Sequence, residues 1–150
     1  MSGHLEAHLN RLLICLFCAG VSTYQYLVDS LGPCTDCLTT TARIAAGVEN
    51  APFAYRILTP RLLVFFGNSW GVHALFQLAV LFCFMMLLWS WSARWGGNGP
   101  AAVGLATVAL GLMWPTWYFS DYTSLEWVLW LAGLTLLTGR SSPSARLTAR

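Results

Sequence analysis

The feature that most constrains this chain is an uncharged apolar segment long enough to cross a lipid bilayer. From Val72 to Trp91 the sequence contains no Asp, Glu, Lys or Arg. A transmembrane helix needs about 20 mainly apolar residues. Only 9% of the whole chain is charged, against about 25% in a typical soluble domain. The sequence therefore predicts an integral membrane protein.

Three further apolar runs have the composition of membrane spans, and a chain of this length has room for about four such spans. We predict an all-α integral membrane protein with four transmembrane helices in a single membrane domain. The predicted spans are 9–31, 72–93, 101–119 and 124–139, with an outer loop at 32–71 and a tail at 140–150.

The placement of arginine predicts the orientation, because positive charge near span ends is retained in the cytoplasm. With both termini inside, five arginines lie on the inner side and three on the outer side. The inner set is Arg11, Arg94, Arg140, Arg146 and Arg150, and the outer set is Arg43, Arg56 and Arg61. We therefore expect both termini in the cytoplasm.

Helix signals predict that the outer loop is partly helical. Thr35 or Asp36 can cap a short helix that Gly47 ends. Thr59 and Pro60 form a cap followed by proline at the first helical position, and open a second short helix. Residues 57–66 are too few to span a bilayer of about 30 Å at 1.5 Å per residue. This segment is therefore expected to be interfacial, re-entrant or an extension of the second span.

The cysteines form two C-x-x-C pairs and one single residue. Cys15 and Cys18 belong to the first span, whereas Cys34 and Cys37 lie beyond its outer end, so the pairs stand on the order of 25 Å apart. A four-thiolate metal site is thereby excluded, and we predict no metal. Cys15, Cys18 and the single Cys83 are interpreted as small packing residues.

The pair Cys34 and Cys37 offers the clearest chemical signal. It faces an oxidising compartment in the predicted orientation, and it lies at a predicted helix start, where a thiol becomes more reactive. We predict a structural disulfide between the two residues. Redox exchange and unpaired thiols are the alternatives.

Four spans, inner termini and C-x-x-C just outside the first span make the layout resemble the bacterial inner-membrane oxidoreductases that pass electrons from periplasmic thiols to quinone. The resemblance implies a catalytic role for Cys34 and Cys37. Those proteins carry a second cysteine pair in their other outer loop, whereas the corresponding segment here, Ser120 to Thr123, has no cysteine.

A second resemblance begins at Ala51–Pro60, which reads APFAYRILTP, and continues through two spans to Tyr118, Asp121 and the segment 124–140. Residues 51–140 resemble part of the bacterial multi-span glycosyltransferase-like membrane proteins. This resemblance implies a shortened relative. Together with the layout, it implies a multi-pass protein of the bacterial inner (cytoplasmic) membrane.

Small residues and bulky apolar residues in the spans are predicted to make different kinds of contact. Gly104, Thr107 and Gly111 share one face of the third span and are predicted to pack against another helix, because lipid provides no hydrophobic drive for helix association. Bulky residues of the loop and the second span are predicted to contact a partner: Phe65, Phe66, Trp70, Phe82 and Met86. His73 is either a residue at headgroup level or a candidate ligand to haem or chlorophyll.

Composition also bounds the function. The chain has no lysine and no cluster of basic residues, so nucleic-acid binding is excluded. No catalytic constellation is apparent, and enzyme activity is not the leading interpretation.

We predict an accessory or scaffolding subunit of a larger membrane complex, of respiratory or photosynthetic type, with membrane lipids and other integral membrane subunits as partners. No cofactor is predicted, although contact with a pigment, haem or quinone stays open. The alternatives are the thiol oxidoreductase and the shortened glycosyltransferase-like protein.

Overall fold

All regular secondary structure in the described part of the chain is helical. The computed structural model describes residues 2–31, 37–48, 58–113 and 128–135. Within these ranges there are six helices and no strand, so the predicted all-α class is confirmed there. The helices are α1 (Ser2–Leu31), α2 (Cys37–Ala45), α3 (Leu58–Phe65), α4 (Trp70–Arg94), α5 (Gly99–Met113) and α6 (128–135).

Two of these helices are long and apolar enough to cross a membrane. They are α1 over His4–Val28 and α4 over Trp70–Arg94. In α5, the apolar stretch Gly99–Leu110 is shorter than a span requires. Of the four predicted spans, two are therefore matched by helices of spanning length. The remainder of the third and fourth spans, and the predicted tail, lie outside the described residues.

The helix that contains the predicted first span extends beyond it toward the N-terminus. The helix begins at Ser2 and runs without a break through His4, Glu6 and His8. A backbone helix requires only local hydrogen bonds and tolerates polar side chains, so an apolar run marks the membrane-embedded part of a helix and not its ends. The second span, predicted at 72–93, agrees closely with α4.

Helices α1, α4 and α5 contact one another in all three pairings and enclose a common core. The buried residues of this core are Cys15, Ala19, Tyr26, Leu81, Met85, Val103 and Leu110. The small side chains Cys15 and Ala19 of α1 share this core with larger side chains of α4. Small residues at a helix contact allow the two backbones to approach closely. The bundle is thin, because most residues in the apolar parts of α1 and α4 are not buried within the described chain.

Contacts at both ends show that α1 and α4 are antiparallel. Arg11, early in α1, binds Met86 late in α4. Leu38, shortly after α1, binds Asn68 just before α4. Extending this register at a constant rise per residue places Ser22 at the depth of Gln77.

Gly99, the first residue of α5, is approached closely by a side chain of α4. Asn98 caps α5, since its side-chain oxygen accepts from the Ala101 amide at 3.3 Å. The following residue, Gly99, is buried beneath the indole of Trp89. A Cβ built on Gly99 would lie 2.7 Å from Trp89 Nε1, which is too close for any other residue type without displacement of the ring.

The glycine predicted to approach another helix, Gly104, has a different environment. A Cβ built on it meets no atom within 4 Å among the described residues. The inward side of α5 is formed by Val103 and Leu110, and the Thr107 hydroxyl donates to the Val103 carbonyl of its own helix at 2.9 Å. Gly104 therefore makes no close approach within the described bundle, and its packing against a further helix stays a prediction. The surroundings of Gly111 lie outside the described residues.

The two short helices of the outer loop agree with the sequence signals. Gly47, with φ +73°, ends α2, as predicted. The Val48 amide donates to the Arg43 carbonyl at 3.0 Å, a bond typical of a helix end with glycine in the left-handed region. Helix α3 begins at Leu58, one residue before the predicted cap Thr59. Pro60 is tolerated there because amides in the first helical turn have no partner within the helix.

Helix α3 is not a continuous extension of α4. The chain turns through Gly67 and Asn68, both at positive φ, and restarts at Ser69, whose hydroxyl accepts from the Val72 amide at 3.4 Å. The turn is compatible with a bent extension of the second span, one of the three expectations for residues 57–66, which stays a prediction. The interfacial and re-entrant alternatives stay open.

We expect Gly99→Ala to lower the thermal midpoint of the purified protein, because the added methyl group must displace the Trp89 ring. Overpacking of this kind costs about 1–3 kcal/mol. Gly104→Ala is the matched control. It places the same methyl group in open space and should leave the midpoint unchanged or raise it, since alanine is favoured over glycine in a helix by about 1 kcal/mol. Equal midpoints for the two variants would contradict the assigned packing.

Candidate functional site

A chain of hydrogen bonds joins the outer loop to the start of α4. Asn68 Nδ2 donates to the carbonyl of Leu38 at 2.8 Å, and Asn68 Oδ1 lies 2.9 Å from His73 Nε2. Because the amide nitrogen faces the carbonyl, the amide oxygen is the acceptor and His73 Nε2 is the donor. We call Leu38, Asn68 and His73 the outer clasp.

Asn68 occupies a backbone conformation that helps to explain the residue type. Its φ is +43°, in the left-handed region, which asparagine adopts more readily than most other non-glycine residues. The turn therefore places this side chain between α2 and α4, where each end of the amide finds a partner. A glycine could make the same turn but could not make either bond.

Below the outer clasp, polar side chains are buried between α1 and α4. Ser22, Thr23 and Gln77 are buried, and the register places Ser22 level with Gln77. Ser22 Oγ and Thr23 Oγ1 have no hydrogen-bond partner among the described residues. Unpaired buried hydroxyls cost free energy, so the burial of Ser22 and Thr23 lowers the stability of the bundle.

At the opposite end of the bundle, Arg11 of α1 contacts the last turns of α4. Arg11 Nη2 donates to the Met86 carbonyl at 2.9 Å and also to the Ser90 hydroxyl. Ser90 in turn donates to the same carbonyl at 2.8 Å. The Arg11 guanidinium carbon lies 6.0 Å from the centre of the Trp89 ring, at the outer limit of a cation–π contact. We call Arg11, Met86, Trp89 and Ser90 the inner arginine site.

His73 is covered by neighbouring residues of the described chain. The residue is only 1% exposed, its ring stands 6.1 Å from the Trp70 ring, and its Nε2 is engaged by Asn68; its predicted position at headgroup level stays a prediction. The burial arises because α3 and the turn at 66–69 cover the first turn of α4. A role as a ligand to haem or chlorophyll through Nε2 would require that nitrogen to give up its bond, and this role stays a prediction.

The structure describes three cysteines, and all three have free thiols. Cys15 is buried, Cys18 is half-buried and Cys83 is exposed. The interpretation as packing residues fits Cys15 and was wrong for Cys83, which lies on the outer face of α4. Cys34 lies outside the described residues, and for Cys37 only the backbone is described, as the first residue of α2. Their predicted disulfide and the redox alternative stay predictions.

The residues predicted to contact a partner fall into two groups. Phe65 and Phe66 are 81% and 63% exposed, and their rings form an edge-to-face pair with centres 5.1 Å apart. Phe82 and Met86 are half-buried and pack on the chain's own core, so only part of each side chain is available to a partner. Trp70 is likewise half-buried.

The sequence patterns did not predict the roles of Asn68 and Arg11 in these two sites. Asn68 was read only as part of a loop, although an asparagine flanked by glycine and an N-cap serine is typical of a turn with a left-handed residue. Arg11 was read only as an orientation signal. Its position inside a 30-residue helix is the feature that indicates an intramembrane contact.

No group of three or more His, Cys, Asp or Glu side chains within the described ranges could hold a metal ion. A scan against protein-family models and searches of curated proteins and of solved structures found no match to this chain. Several residues that carry the two resemblances lie outside the described residues, among them Cys34, 51–57 and 118–124.

We expect Asn68→Gly to loosen the outer loop. Glycine accepts the φ of +43°, so the variant removes both side-chain hydrogen bonds without backbone strain, and each bond contributes about 0.5–1.5 kcal/mol. Amides of α2 should exchange with solvent hydrogen faster, while amides in the middle of α4 should not change. Asn68→Asp retains the acceptor for His73 but loses the donor to Leu38. Its exchange rate in α2 should therefore lie between those of the unmodified protein and Asn68→Gly. Unchanged exchange in α2 of Asn68→Gly would show that the outer clasp does not hold the loop.

Proposed function

We propose that this protein is a non-catalytic accessory or scaffolding subunit of a larger assembly in the bacterial inner membrane, with both termini cytoplasmic. The observation that carries the proposal is the exposed pair Phe65 and Phe66 at the end of α3. Aromatic residues are enriched where one protein docks on another.

The outer clasp supports this proposal because it orders the segment that presents the pair. Phe66 is followed by Gly67 and Asn68, and Asn68 is tied to both α2 and α4. A surface that is ordered before binding loses less conformational entropy on association. The aromatic pair therefore has the exposure and the support that a docking contact needs.

The thin bundle supports the same proposal. Large apolar side chains cover the outward faces of all three bundle helices, among them Phe17 on α1, Leu75 on α4 and Leu105 on α5. Lipid can cover such faces, and so can neighbouring helices, which pack by van der Waals contact. The described chain thus offers much lateral surface to a complex.

After extraction in mild detergent, we expect the protein to migrate on blue-native gels in a particle much larger than its own 16.5 kDa. The double variant Phe65→Ala with Phe66→Ala should move most of the protein to a small particle, because it removes the docking contact and leaves the outer clasp intact.

The matched control is Val48→Ala, which shortens another exposed apolar side chain of the outer loop and should leave the large particle unchanged. Migration of the unmodified protein alone, as a small particle, would refute the proposed function. Equal losses in the control and the double variant would refute the assignment to Phe65 and Phe66.

Orientation is tested in a background in which all five cysteines are replaced by serine. Val48→Cys lies in the outer loop and Trp95→Cys in the turn after α4, and both positions are exposed. We expect a membrane-impermeant maleimide to label Val48→Cys in intact cells and Trp95→Cys only after permeabilisation. The reverse pattern would invert the proposed topology.

A further inference from the structure

We propose that the inner arginine site binds the phosphate of an anionic phospholipid. The proposal concerns a site separate from Phe65 and Phe66, and it does not depend on the protein being part of a complex. It begins with the charge of Arg11, which lies within the first candidate span, where a charge without a counter-ion is costly.

Arg11 has no carboxylate partner among the described side chains. Glu6 is the one acidic residue whose side chain the structure describes, and it is exposed. The polar partners of the guanidinium are the neutral Met86 carbonyl and Ser90 hydroxyl. These groups satisfy two donors and leave the positive charge uncompensated.

The guanidinium has one nitrogen that a ligand can reach. Nη2 is occupied by Met86 and Ser90, and Nε is buried without a partner. Nη1 has no hydrogen-bond partner among the described residues, yet it is not among the buried unpaired atoms. An anion can therefore approach Nη1, and guanidinium nitrogens form strong charge-assisted bonds with phosphate oxygens.

The depth of the site favours a lipid headgroup as the source of the anion. Ser90 lies four residues before the end of α4 at Arg94, or about 6 Å along the axis. Trp89, Trp91 and Trp95 lie at the same end of α4, and tryptophan is enriched at the boundary between headgroups and acyl chains. A long arginine side chain reaches that boundary from a backbone position deeper in the bilayer.

A carboxylate from a partner helix is the competing source. It would itself be desolvated at this depth, which costs free energy in addition to the cost already borne by Arg11. A bilayer presents phosphates there without that cost. We therefore assign the site to an anionic phospholipid such as phosphatidylglycerol.

The test uses the full-length protein, purified and delipidated in detergent, and native mass spectrometry with equal amounts of phosphatidylglycerol and phosphatidylcholine. We expect several-fold more bound phosphatidylglycerol than phosphatidylcholine. Arg11→Gln should bring the ratio close to one. Arg94→Gln, which removes a charge at the same end of the bundle but one that binds the Thr135 carbonyl, should keep the preference of the unmodified protein.

Several outcomes would overturn the assignment. A ratio close to one in the unmodified protein would do so without any variant, so the test stands even if Arg11→Gln fails to fold. Equal loss of preference in Arg94→Gln would show a diffuse charge effect. A rise in thermal midpoint with inorganic phosphate equal to that with phosphatidylglycerol would show a site for free phosphate. Release of Arg11→Gln from a large particle, with its lipid preference unchanged, would indicate a partner carboxylate.

Discussion

The bond between the Arg11 guanidinium and the Met86 carbonyl is the interaction on which the bundle most depends. Together with the bond from the same nitrogen to the Ser90 hydroxyl, it joins α1 to α4 near the N-terminal end of α1. The bond is partly buried, where a hydrogen bond is stronger than in water. It therefore aligns α1 against α4 lengthwise, and the depth of every other contact between these helices follows from that alignment.

The alignment separates the interior into layers of different chemistry. Above Arg11, small residues of α1 such as Cys15 and Ala19 face Leu81 and Met85 in an apolar core. Further along, the buried Ser22 lies level with Gln77, and the outer clasp closes that end. An apolar middle with polar contacts at both ends resists sliding of the helices, because a shift by one turn would place polar groups against apolar ones. The described chain thus holds the loop segments α2 and α3 at one end of a narrow helical bundle.

Much of the secondary structure could be predicted from the sequence. Helix α4 matches the predicted second span within two residues at each end, and Gly47 ends α2 as predicted. These features are local, because a run of apolar residues or a glycine at a helix end acts through its immediate neighbours. Helix α1 extends to Ser2, before the predicted span, because polar residues continue a helix as readily as apolar ones.

By itself, the sequence determined that the described part of the chain is apolar and helical, and two of the four predicted spans are matched by helices long enough to cross a bilayer, since length and composition decide these properties. Only the tertiary structure decided which residues meet. It placed the close approach at Gly99 and not at Gly104, buried His73 under the turn at 66–69, and gave Arg11 its partners on α4. Such contacts depend on the register between distant helices, and that register is set by side chains up to 79 residues apart, whose pairing no local pattern encodes.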